Sequence, residues 1–454
     1  MRQQLPKPPD SGLLNAARFG SNPRRFLEGV QSRFEDLVAV PIPGRGPLVV
    51  VTNPRLVHDV LSRPGEFPRV AAGGSAAMIA ERGLVQSEGD LWRQQRSIVG
   101  PAFAGKQVAA YADTVGRRTD ELAAEWRADP GERNVHAEMT TLTIRVASEI
   151  LLGDDIGHEA AEEFHGWMQT AGREFEFSPS TLAPEIFSRP SGEFEAAAGE
   201  IRAMGEEIIA RRRETLAAGH GDGDGNGGEN GDGEQRDMLA LLLRAEADGV
   251  EMPPNQIRDE VLTFLIAGHE TTALSLTYAW ALLSWHPAVR DRVREEAREV
   301  LGGGTPRYDH VRDLDYTERA FREAIRLYPA AWATFRSTRE EVRLGDYVVP
   351  SGASVILPQW SIHRDPRYFE NPTEFDPDRW LRRKPQNVEA YFPFSSGPHA
   401  CIGQAFSLSG ATLALAGLVR EFDVEIPGDA LSDLRATPTL RPAGPVTGRI
   451  EPAD

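Results

Sequence analysis

One long, proline-free segment limits the fold of this chain more than any other feature. It lies between Pro253–Pro254 and Pro287 and reads NQIRDEVLTFLIAGHETTALSLTYAWALLSWH. The pattern predicts a helix, which at 1.5 Å per residue would be about 50 Å long. A helix of that length crosses a whole domain, so we expect the rest of the chain to pack around it.

The remaining patterns predict a mainly α fold with a smaller β-rich portion (α+β). Helical periodicity dominates residues 105–330. Strand-like pieces, PLVVVT at 47–52 and YVVPSGASVILP at 347–358, lie towards the two ends of the chain. We therefore expect residues 1–454 to form a single domain whose β-rich portion is built from both ends.

A glycine-rich and acidic segment, GHGDGDGNGGENGDGEQRD at residues 219–237, interrupts the helical region. It has almost nothing apolar to bury, so we expect a disordered surface loop. The loop separates helical patterns at 193–217 and 237–247. An inert insertion is favoured over a binding segment.

Charge and hydropathy exclude several classes of partner. The formal charge of −18 and a pI near 5.1 argue against nucleic acid, because binding phosphates needs clustered positive surface. The sequence has no apolar run long enough for a membrane helix, and its N-terminus, MRQQLPKPPDSGLL, lacks the order of a signal peptide. We expect a soluble, cytoplasmic protein without a membrane span.

The sequence contains one cysteine, Cys401, in the segment FPFSSGPHACIG at 392–403. A single cysteine forms no internal disulfide and no four-thiolate metal site, which leaves an inert thiol, a nucleophile or a single-thiolate ligand. Gly397 and Gly403 allow close backbone approaches, and Pro398 stiffens the turn. A helical pattern follows directly, and a helix N-terminus favours a thiolate.

The middle of the long helical segment carries the polar motif AGHETT. Gly268 costs up to about 1 kcal/mol relative to alanine in a helix, so we expect a local opening or a ligand against the backbone there. Glu270 and Thr271 follow at once. One interpretation is a salt-bridged glutamate and a threonine bonded back to the helix, and the other is a functional acid and alcohol.

Two further pairs are uninformative alone. Glu323 and Arg326 stand three apart in FREAIRLYPA, a spacing typical of surface ion pairs. Trp92 and Arg96 stand four apart in GDLWRQQR and would share one side of a helix, where a half-exposed stacking pair is equally expected.

Taken together, these motifs resemble the cytochrome P450 family in order and spacing over about residues 83–422. The cysteine segment matches the family's heme-binding loop, F-x-x-G-x-[R/H]-x-C-x-G, at Phe394, Gly397, His399, Cys401 and Gly403. AGHETT matches its oxygen-activation motif, [A/G]-G-x-[D/E]-T. The resemblance implies the cytochrome P450 fold, with the long helix crossing a heme b (iron protoporphyrin IX).

The resemblance also implies roles for individual residues. Cys401 would be the proximal thiolate ligand of the heme iron. The groups implied to face heme propionates are Trp92, Arg96, Arg336 and His399. In the oxygen-activation motif, Ala267 and Gly268 would make room for dioxygen while Glu270 and Thr271 relay protons. Glu323, Arg326 and Arg379 would form a buried structural network behind the cysteine loop.

The implied activity is that of a monooxygenase that inserts one atom of O₂ into an apolar substrate, either fatty-acid-like or terpenoid. Val85 is a candidate for the substrate pocket. Electrons would come from a separate ferredoxin or flavodoxin-like protein, attracted by the basic residues Arg93, Arg379, Arg382, Arg383 and Lys384.

Three other functions stay open from the residues: a peroxide-driven peroxygenase, a heme-based sensor or carrier, and, more remotely, a cysteine hydrolase. The sequence also departs from many relatives in one respect. Nine residues after the cysteine, where the fatty-acid hydroxylases of the family carry glutamate, this chain has Gly410.

Overall fold

The fold was analysed in a computed structural model, which describes residues 4–42, 45–70, 75–175, 190–219 and 237–453. Helices make up most of these residues. In chain order they are α1 (Gly12–Ser21), α2 (Pro23–Gln31), α3 (Pro54–Ser62), α4 (Ser75–Ala80), α5 (Gly89–Val99), α6 (Gly105–Ala128), α7 (Val135–Ala147), α8 (His158–Glu174), α9 (Gly192–Gly219), α10 (Met238–Ala247), α11 (Gln256–Trp285), α12 (Pro287–Leu301), α13 (Tyr308–Val311), α14 (Asp315–Leu327), α15 (Gln359–Ile362), α16 (Arg379–Arg382) and α17 (Gln404–Val419).

Eleven short strands form four small sheets among the described residues. They are β1 (Leu37–Val40), β2 (Leu48–Val51), β3 (Gly131–Asn134), β4 (Thr334–Ser337), β5 (Val342–Leu344), β6 (Tyr347–Val349), β7 (Ser354–Leu357), β8 (Phe422–Glu425), β9 (Leu434–Ala436), β10 (Leu440–Pro442) and β11 (Thr447–Pro452). The sheets have the strand orders β1-β2-β7-β4, β3-β11-β8, β5-β6 and β9-β10. The predicted mainly α fold with a smaller β-rich portion is confirmed.

The main sheet joins strands near the N-terminus to strands between residues 334 and 357. Strand β2 pairs in parallel with β7, with Leu48 opposite Ser354 and Val50 opposite Ile356. All four residues of β2 are buried, as are those of β1. Both strand-like pieces of the sequence thus meet in one sheet, as predicted.

The long helix α11 begins and ends where the prolines indicate. It starts at Gln256, after Pro253–Pro254, and ends at Trp285, two residues before Pro287 opens α12. Most of its side chains are buried, and the buried ones lie on every face of the helix, which is the pattern of a helix inside a domain. Of the two alternatives expected at Gly268, the local opening is not seen, because the segment stays α-helical throughout. One glycine costs too little to break so long and well packed a helix. The other alternative, a ligand against the backbone, stays a prediction.

Helix α11 belongs to a four-helix bundle together with α6, α7 and α17. Helix α7 packs along α11, and α6 packs along α17. Trp126 of α6 contacts Trp280 of α11 and Phe422 of β8, with ring centroids 6.0 and 5.3 Å apart. This bundle fixes α11 relative to α17, the helix that follows Cys401.

The predicted helices at 193–217 and 237–247 are confirmed as α9 and α10. Asp237 caps α10 by accepting a hydrogen bond from the backbone N–H of Ala240, and it forms a buried ion pair with Arg212 of α9. The predicted loop at 219–237 lies, apart from its two end residues, outside the described residues. None of the helices within the described ranges is long and apolar enough to cross a membrane.

Candidate active site

A large cavity separates α11 from the segment that carries Cys401. It holds about 1440 Å³ free of protein atoms, which includes the open space at its mouth. One wall is the face of α11 formed by Thr263, Phe264, Ala267, Gly268 and Thr271. The opposite wall is the segment 393–403, and the remaining walls are mainly apolar. The predicted oxygen-activation motif therefore faces the predicted heme-binding loop across an enclosed space.

The backbone of the cysteine loop is fixed by hydrogen bonds and by one glycine. The N–H of Cys401 donates to the carbonyl of Phe394 at 3.0 Å, and Ala400 donates to Gly397 at 3.0 Å. Gly397 has φ of +72°, and a Cβ there would lie 2.3 Å from the carbonyl oxygen of Leu61. No other residue fits this turn without displacing α3.

Cys401 faces the cavity, three residues before α17 begins at Gln404. It is exposed to the cavity while protein atoms surround it on the other sides. Burial raises the pKa of its thiol, and the N–H of Gly403 and the Arg96 guanidinium act in the opposite direction. The protein alone therefore keeps a protonated sulfur, and a bound metal cation would displace that proton.

Three arginines gather at one side of the cavity. Arg96 of α5 lines it together with Arg69, and Arg336 lies beside Arg69 because the two backbones form an antiparallel bridge. Burial, together with the charge of Arg69, lowers the pKa of Arg336 to about 10. The charge of Glu88 raises the pKa values of Arg69 and Arg336. One carboxylate beside three arginines leaves an excess of buried positive charge on this side.

His399 completes this cationic side. Burial lowers its pKa to about 3, and the arginines at positions 69, 336 and 96 add to the effect, so the ring is neutral at pH 7. Its Nε2 lies 3.7 Å from Glu88, and its Nδ1 is buried without a hydrogen-bond partner. Trp92 contacts the His399 ring edge-on, with the ring centroids 4.4 Å apart. A buried nitrogen without a partner indicates a ligand atom at this position.

Arg69 was not among the predicted site residues. Its guanidinium donates to the carbonyls of Leu84 and Ser87 at 2.9 and 3.0 Å, and it reaches the cavity only because β4 brings Arg336 alongside it. That contact joins residues far apart in sequence, and no local motif surrounds Arg69.

Within α11, Thr271 and Glu270 point in different directions. The Thr271 hydroxyl lines the cavity and donates to the carbonyl of Ala267 at 2.9 Å. The Glu270 carboxylate is not part of the cavity wall and accepts hydrogen bonds from Arg441 at 2.5 Å and from the Thr439 hydroxyl. Burial alone would raise the pKa of Glu270, but these two partners lower it below its usual value. Both contacts of the structural interpretation, the ion pair and the back-bonded threonine, are thus present.

The structure brings together Glu323, Arg326 and Arg379. Arg326 contacts both carboxylate oxygens of Glu323, at 2.7 and 2.9 Å, and Arg379 reaches the same carboxylate at 3.2 Å. All three side chains are buried. Arg326 also donates to the carbonyl of His363, whose Nε2 accepts the N–H of Phe392 at the start of the cysteine loop. A chain of hydrogen bonds thus connects the network to the loop.

Val85 lies in the cavity wall, and its side chain is 54% exposed. Its neighbours there include Leu84, Phe103 and Phe264. The predicted pocket residue is therefore placed where a bound molecule would contact it.

Fold and cavity together define an enzyme built around a single cysteine that faces a long helix. The chain belongs to the cytochrome P450 family, whose model matches residues 6–446. It is accordingly a monooxygenase of the oxidoreductase class, and the family implies a heme iron.

The curated relatives include bacterial oxygenases. Cyclooctatin synthase from Streptomyces melanosporofaciens is 33% identical over 96% of this chain and 93% of that protein. Cyclooctat-9-en-7-ol 5-monooxygenase from the same organism is 31% identical, covering 90% and 87%. Pentalenene oxygenase from Streptomyces avermitilis is 30% identical, covering 90% and 88%.

The residues around the cavity fit a heme. Cys401 offers one soft ligand in an apolar setting, which suits iron. The excess positive charge of Arg69, Arg96 and Arg336 and the unpartnered nitrogen of His399 fit the two carboxylates that a heme carries.

Proposed function

We propose that this enzyme uses O₂ to hydroxylate an apolar terpenoid in the cavity between α11 and Cys401. The observation that carries the proposal is the position of Cys401, which faces the Ala267–Thr271 turn of α11 across a mainly apolar cavity. The names of the relatives support the substrate class, because cyclooctat-9-en-7-ol and pentalenene are terpenoid compounds. A fatty-acid-like substrate is the second candidate, and the apolar walls alone accept both.

We propose that the cofactor is heme b, whose iron Cys401 would bind through its sulfur. A thiolate-ligated heme supplies the reductive activation of O₂ and its transfer to a C–H bond. Arg69, Arg96 and Arg336 would bind its carboxylates by charge-assisted hydrogen bonds, and neutral His399 would donate to a carboxylate through its Nδ1–H. Trp92 holds the His399 ring in place.

Thr271 is the proposed proton-passing group at the cavity. Its hydrogen is directed to the carbonyl of Ala267, so its oxygen can accept a hydrogen bond from a water molecule in the cavity. Glu270 is proposed to supply protons from the other side of α11. To do so its carboxylate has to leave Arg441 or pass protons through Thr439. Ala267 and Gly268 keep the cavity wide opposite Cys401.

Glu323, Arg326 and Arg379 are proposed to hold the cysteine loop rather than to take part in the reaction. The Glu323 carboxylate pairs with both guanidiniums, which also donate to backbone carbonyls, and the hydrogen bond from Phe392 to His363 connects the network to the loop. We also infer that residues 1–454 act as one domain, because β2 pairs with β7 and the C-terminal β11 pairs with β3.

Substitution of Cys401 by serine tests the assignment of the ligand. Cys401→Ser should retain the fold but lose the strongly red-shifted absorption of the reduced carbon monoxide complex, because that band arises from thiolate donation to the iron. The absorption spectrum of the reduced, CO-treated protein is the measurement. A variant that kept the band would overturn the assignment of Cys401.

A spectral binding screen tests the substrate class. Terpene hydrocarbons, terpene alcohols and long-chain fatty acids would be titrated into the oxidised enzyme, and a shift of the heme spin state would report displacement of a ligand water. We expect the terpenoids to bind and be hydroxylated. A response to fatty acids alone would replace the terpenoid proposal by the second candidate.

A further inference from the structure

A second, smaller cavity lies on the other side of α11, inside the bundle of α6, α7, α11 and α17. About 390 Å³ there is free of protein atoms, which includes the narrow gaps between its lining side chains and any open space beside them. Its walls are mostly apolar side chains that are themselves buried, so this space is internal. These side chains are Val115, Leu142, Val146, Ala147, Leu276, Ala411 and Ala414.

The two cavities share part of one wall. Gly268, Thr272, Phe406 and Ser407 line both of them. The hydroxyls of Thr272 and Ser407 lie 3.5 Å apart at this wall. The shared wall is beside Thr271, the residue that faces Cys401, so a small molecule in the second cavity is one side chain away from the reaction site.

The chemistry of the second cavity suits an apolar molecule and not water. Of its three hydroxyl groups, that of Thr143 donates to the carbonyl of Met139 at 2.9 Å, and those of Thr272 and Ser407 face each other. No polar side-chain atom on its walls is buried without a partner, within the described residues. A buried water needs two to four polar partners, and cavities without them stay dry and accept apolar gases.

Gly410 explains why the space exists. It lies on α17 in the wall of the second cavity, and a Cβ there would have its nearest neighbour, a methyl of Val115, at 3.4 Å. In this chain the missing side chain leaves a void directly behind the reaction site.

We infer that the second cavity binds dioxygen and delivers it to the main cavity between Thr272 and Ser407. The inference rests on the proposed use of O₂. A bound heme and an apolar substrate would share the main cavity, so dioxygen that entered through its mouth would have to pass the substrate. A dry internal cavity lined by aliphatic groups concentrates such a small apolar molecule, and the shared wall lets it pass without displacing the substrate.

Xenon is a direct probe of the second cavity. Crystals of the heme-loaded enzyme under xenon pressure should show a xenon atom between α6, α7 and α17. Gly410→Leu should abolish that site, because the new side chain fills the space. In solution the same variant should raise KM for O₂ by about threefold or more, with kcat at saturating O₂ and the spectral Kd for substrate unchanged.

Two further variants separate a filled cavity from a general disturbance. Ala414→Leu fills the same space one helical turn later and should reproduce both effects. Gly199→Leu, on α9 where a side chain meets no neighbouring atom, should change neither. If both filling variants fail to fold, xenon itself serves in the wild-type enzyme, where it should raise KM for O₂ competitively.

Two results would overturn the inference. The first is that the pressurised crystals show no xenon in the second cavity. The second is that xenon binds there, but neither the filling variants nor xenon pressure changes KM for O₂. In that case the cavity is only a packing void. Failure of the proposed function gives a different result: no red-shifted carbon monoxide band and no oxidised product, whatever xenon does.

Discussion

At the scale of single residues, the hydroxyl of Thr271 is the polar group of α11 best placed to act in the cavity. Thr271→Ala should leave heme content and substrate affinity nearly unchanged, because the hydroxyl bonds only to the carbonyl of Ala267 and alanine favours a helix by about 0.5 kcal/mol. Loss of the proton-passing group should divert electrons to hydrogen peroxide. The measurement is product formed per reductant consumed, together with the peroxide released.

Ser275, one turn further along the same face of α11, provides a matched control. It also lines the main cavity, and its hydroxyl bonds back to the carbonyl of Thr271 at 2.7 Å. Ser275→Ala removes a similar hydroxyl and should keep most of the coupling. Full coupling in Thr271→Ala would mean that protons reach the site through other groups.

Individual residues also show which parts of the site can be predicted from the sequence. Cys401, His399 and Trp92 could be found because each belongs to a local motif with fixed spacing. The pairing of Glu270 with Arg441 could not, because 171 positions separate the two residues and the fold alone brings them together. Arg69 was missed for the same reason.

At the scale of elements, α11 holds the turn at residues 82–84 through buried carboxylates. Glu260 accepts the N–H of Leu84 at 3.1 Å, and Asp259 accepts that of Arg82 at 3.0 Å. Burial raises the pKa of Glu260 to about 8; the N–H of Leu84 opposes this, and the charge of Asp259 adds to it. Since Leu84 lines the main cavity, this contact sets the position of one cavity wall.

The raised pKa of Glu260 gives a pH dependence with a definite sign. Between the usual carboxyl pKa of 4.5 and about 8, the folded state keeps a proton that the unfolded chain has released. Stability contributed by this group is therefore lost as the pH rises through this range, by at most about 1.4 kcal/mol per pH unit. Glu260→Gln cannot ionise and should flatten the fall in melting temperature between pH 6 and 8.

The control for this experiment is the exposed Glu246 on α10, which is paired with Arg213 on the surface. Glu246→Gln should follow the wild-type dependence of melting temperature on pH. If Glu260→Gln also followed the wild-type curve, the carboxyl group would be ionised in the folded protein, and the assignment of a neutral Glu260 would be wrong.

Helix α14 allows a comparison between a buried and a surface ion pair on one element. Glu323→Ala leaves Arg326 and Arg379 buried without their carboxylate, which typically costs about 3–5 kcal/mol. Glu318→Ala removes the partner of Arg322 near the surface and should cost less than about 1 kcal/mol. Thermal unfolding of the two variants measures the difference, and equal small losses would exclude a structural role for the network.

The elements differ in how well the sequence predicts them. Helix α11 is bounded by prolines and has a continuous pattern, so both of its ends could be read from the sequence. Strand β3, with the sequence GERN, has no strand pattern at all and exists because it pairs with β11, where Arg133 lies opposite Gly448. Pairing between distant segments contributes energy that no short window of sequence contains.

At the scale of the whole molecule, we propose that this acidic enzyme receives its electrons from a separate ferredoxin or flavodoxin-like protein. The sequence suggested a basic surface that includes Arg379, but the structure buries that side chain against Glu323, so it is removed from the surface. Arg382 is exposed and paired with Asp376, and Arg383 follows it. This exposed pair of arginines adjoins the network that holds the cysteine loop.

Charge reversal at Arg382 and Arg383 tests this surface as the docking site. Complementary charge speeds association more than it strengthens the final complex, so Arg382→Glu with Arg383→Glu should slow reduction by an acidic ferredoxin roughly tenfold at low salt. Because added salt screens the same attraction, the variant should also lose most of the salt dependence of the reduction rate. Stopped-flow reduction at several salt concentrations measures both quantities.

The matched control is Arg449→Glu on β11, an arginine of similar exposure that is likewise paired with a carboxylate, Glu451. The double variant reverses two charges, and the control reverses one. If total charge alone mattered, the control would therefore slow reduction about half as much as the double variant does. A local docking effect would leave the control at the wild-type rate. If the double variant also kept the wild-type rate and salt dependence, the donor would have to bind elsewhere, and the acidic total charge would then favour a donor with a basic surface.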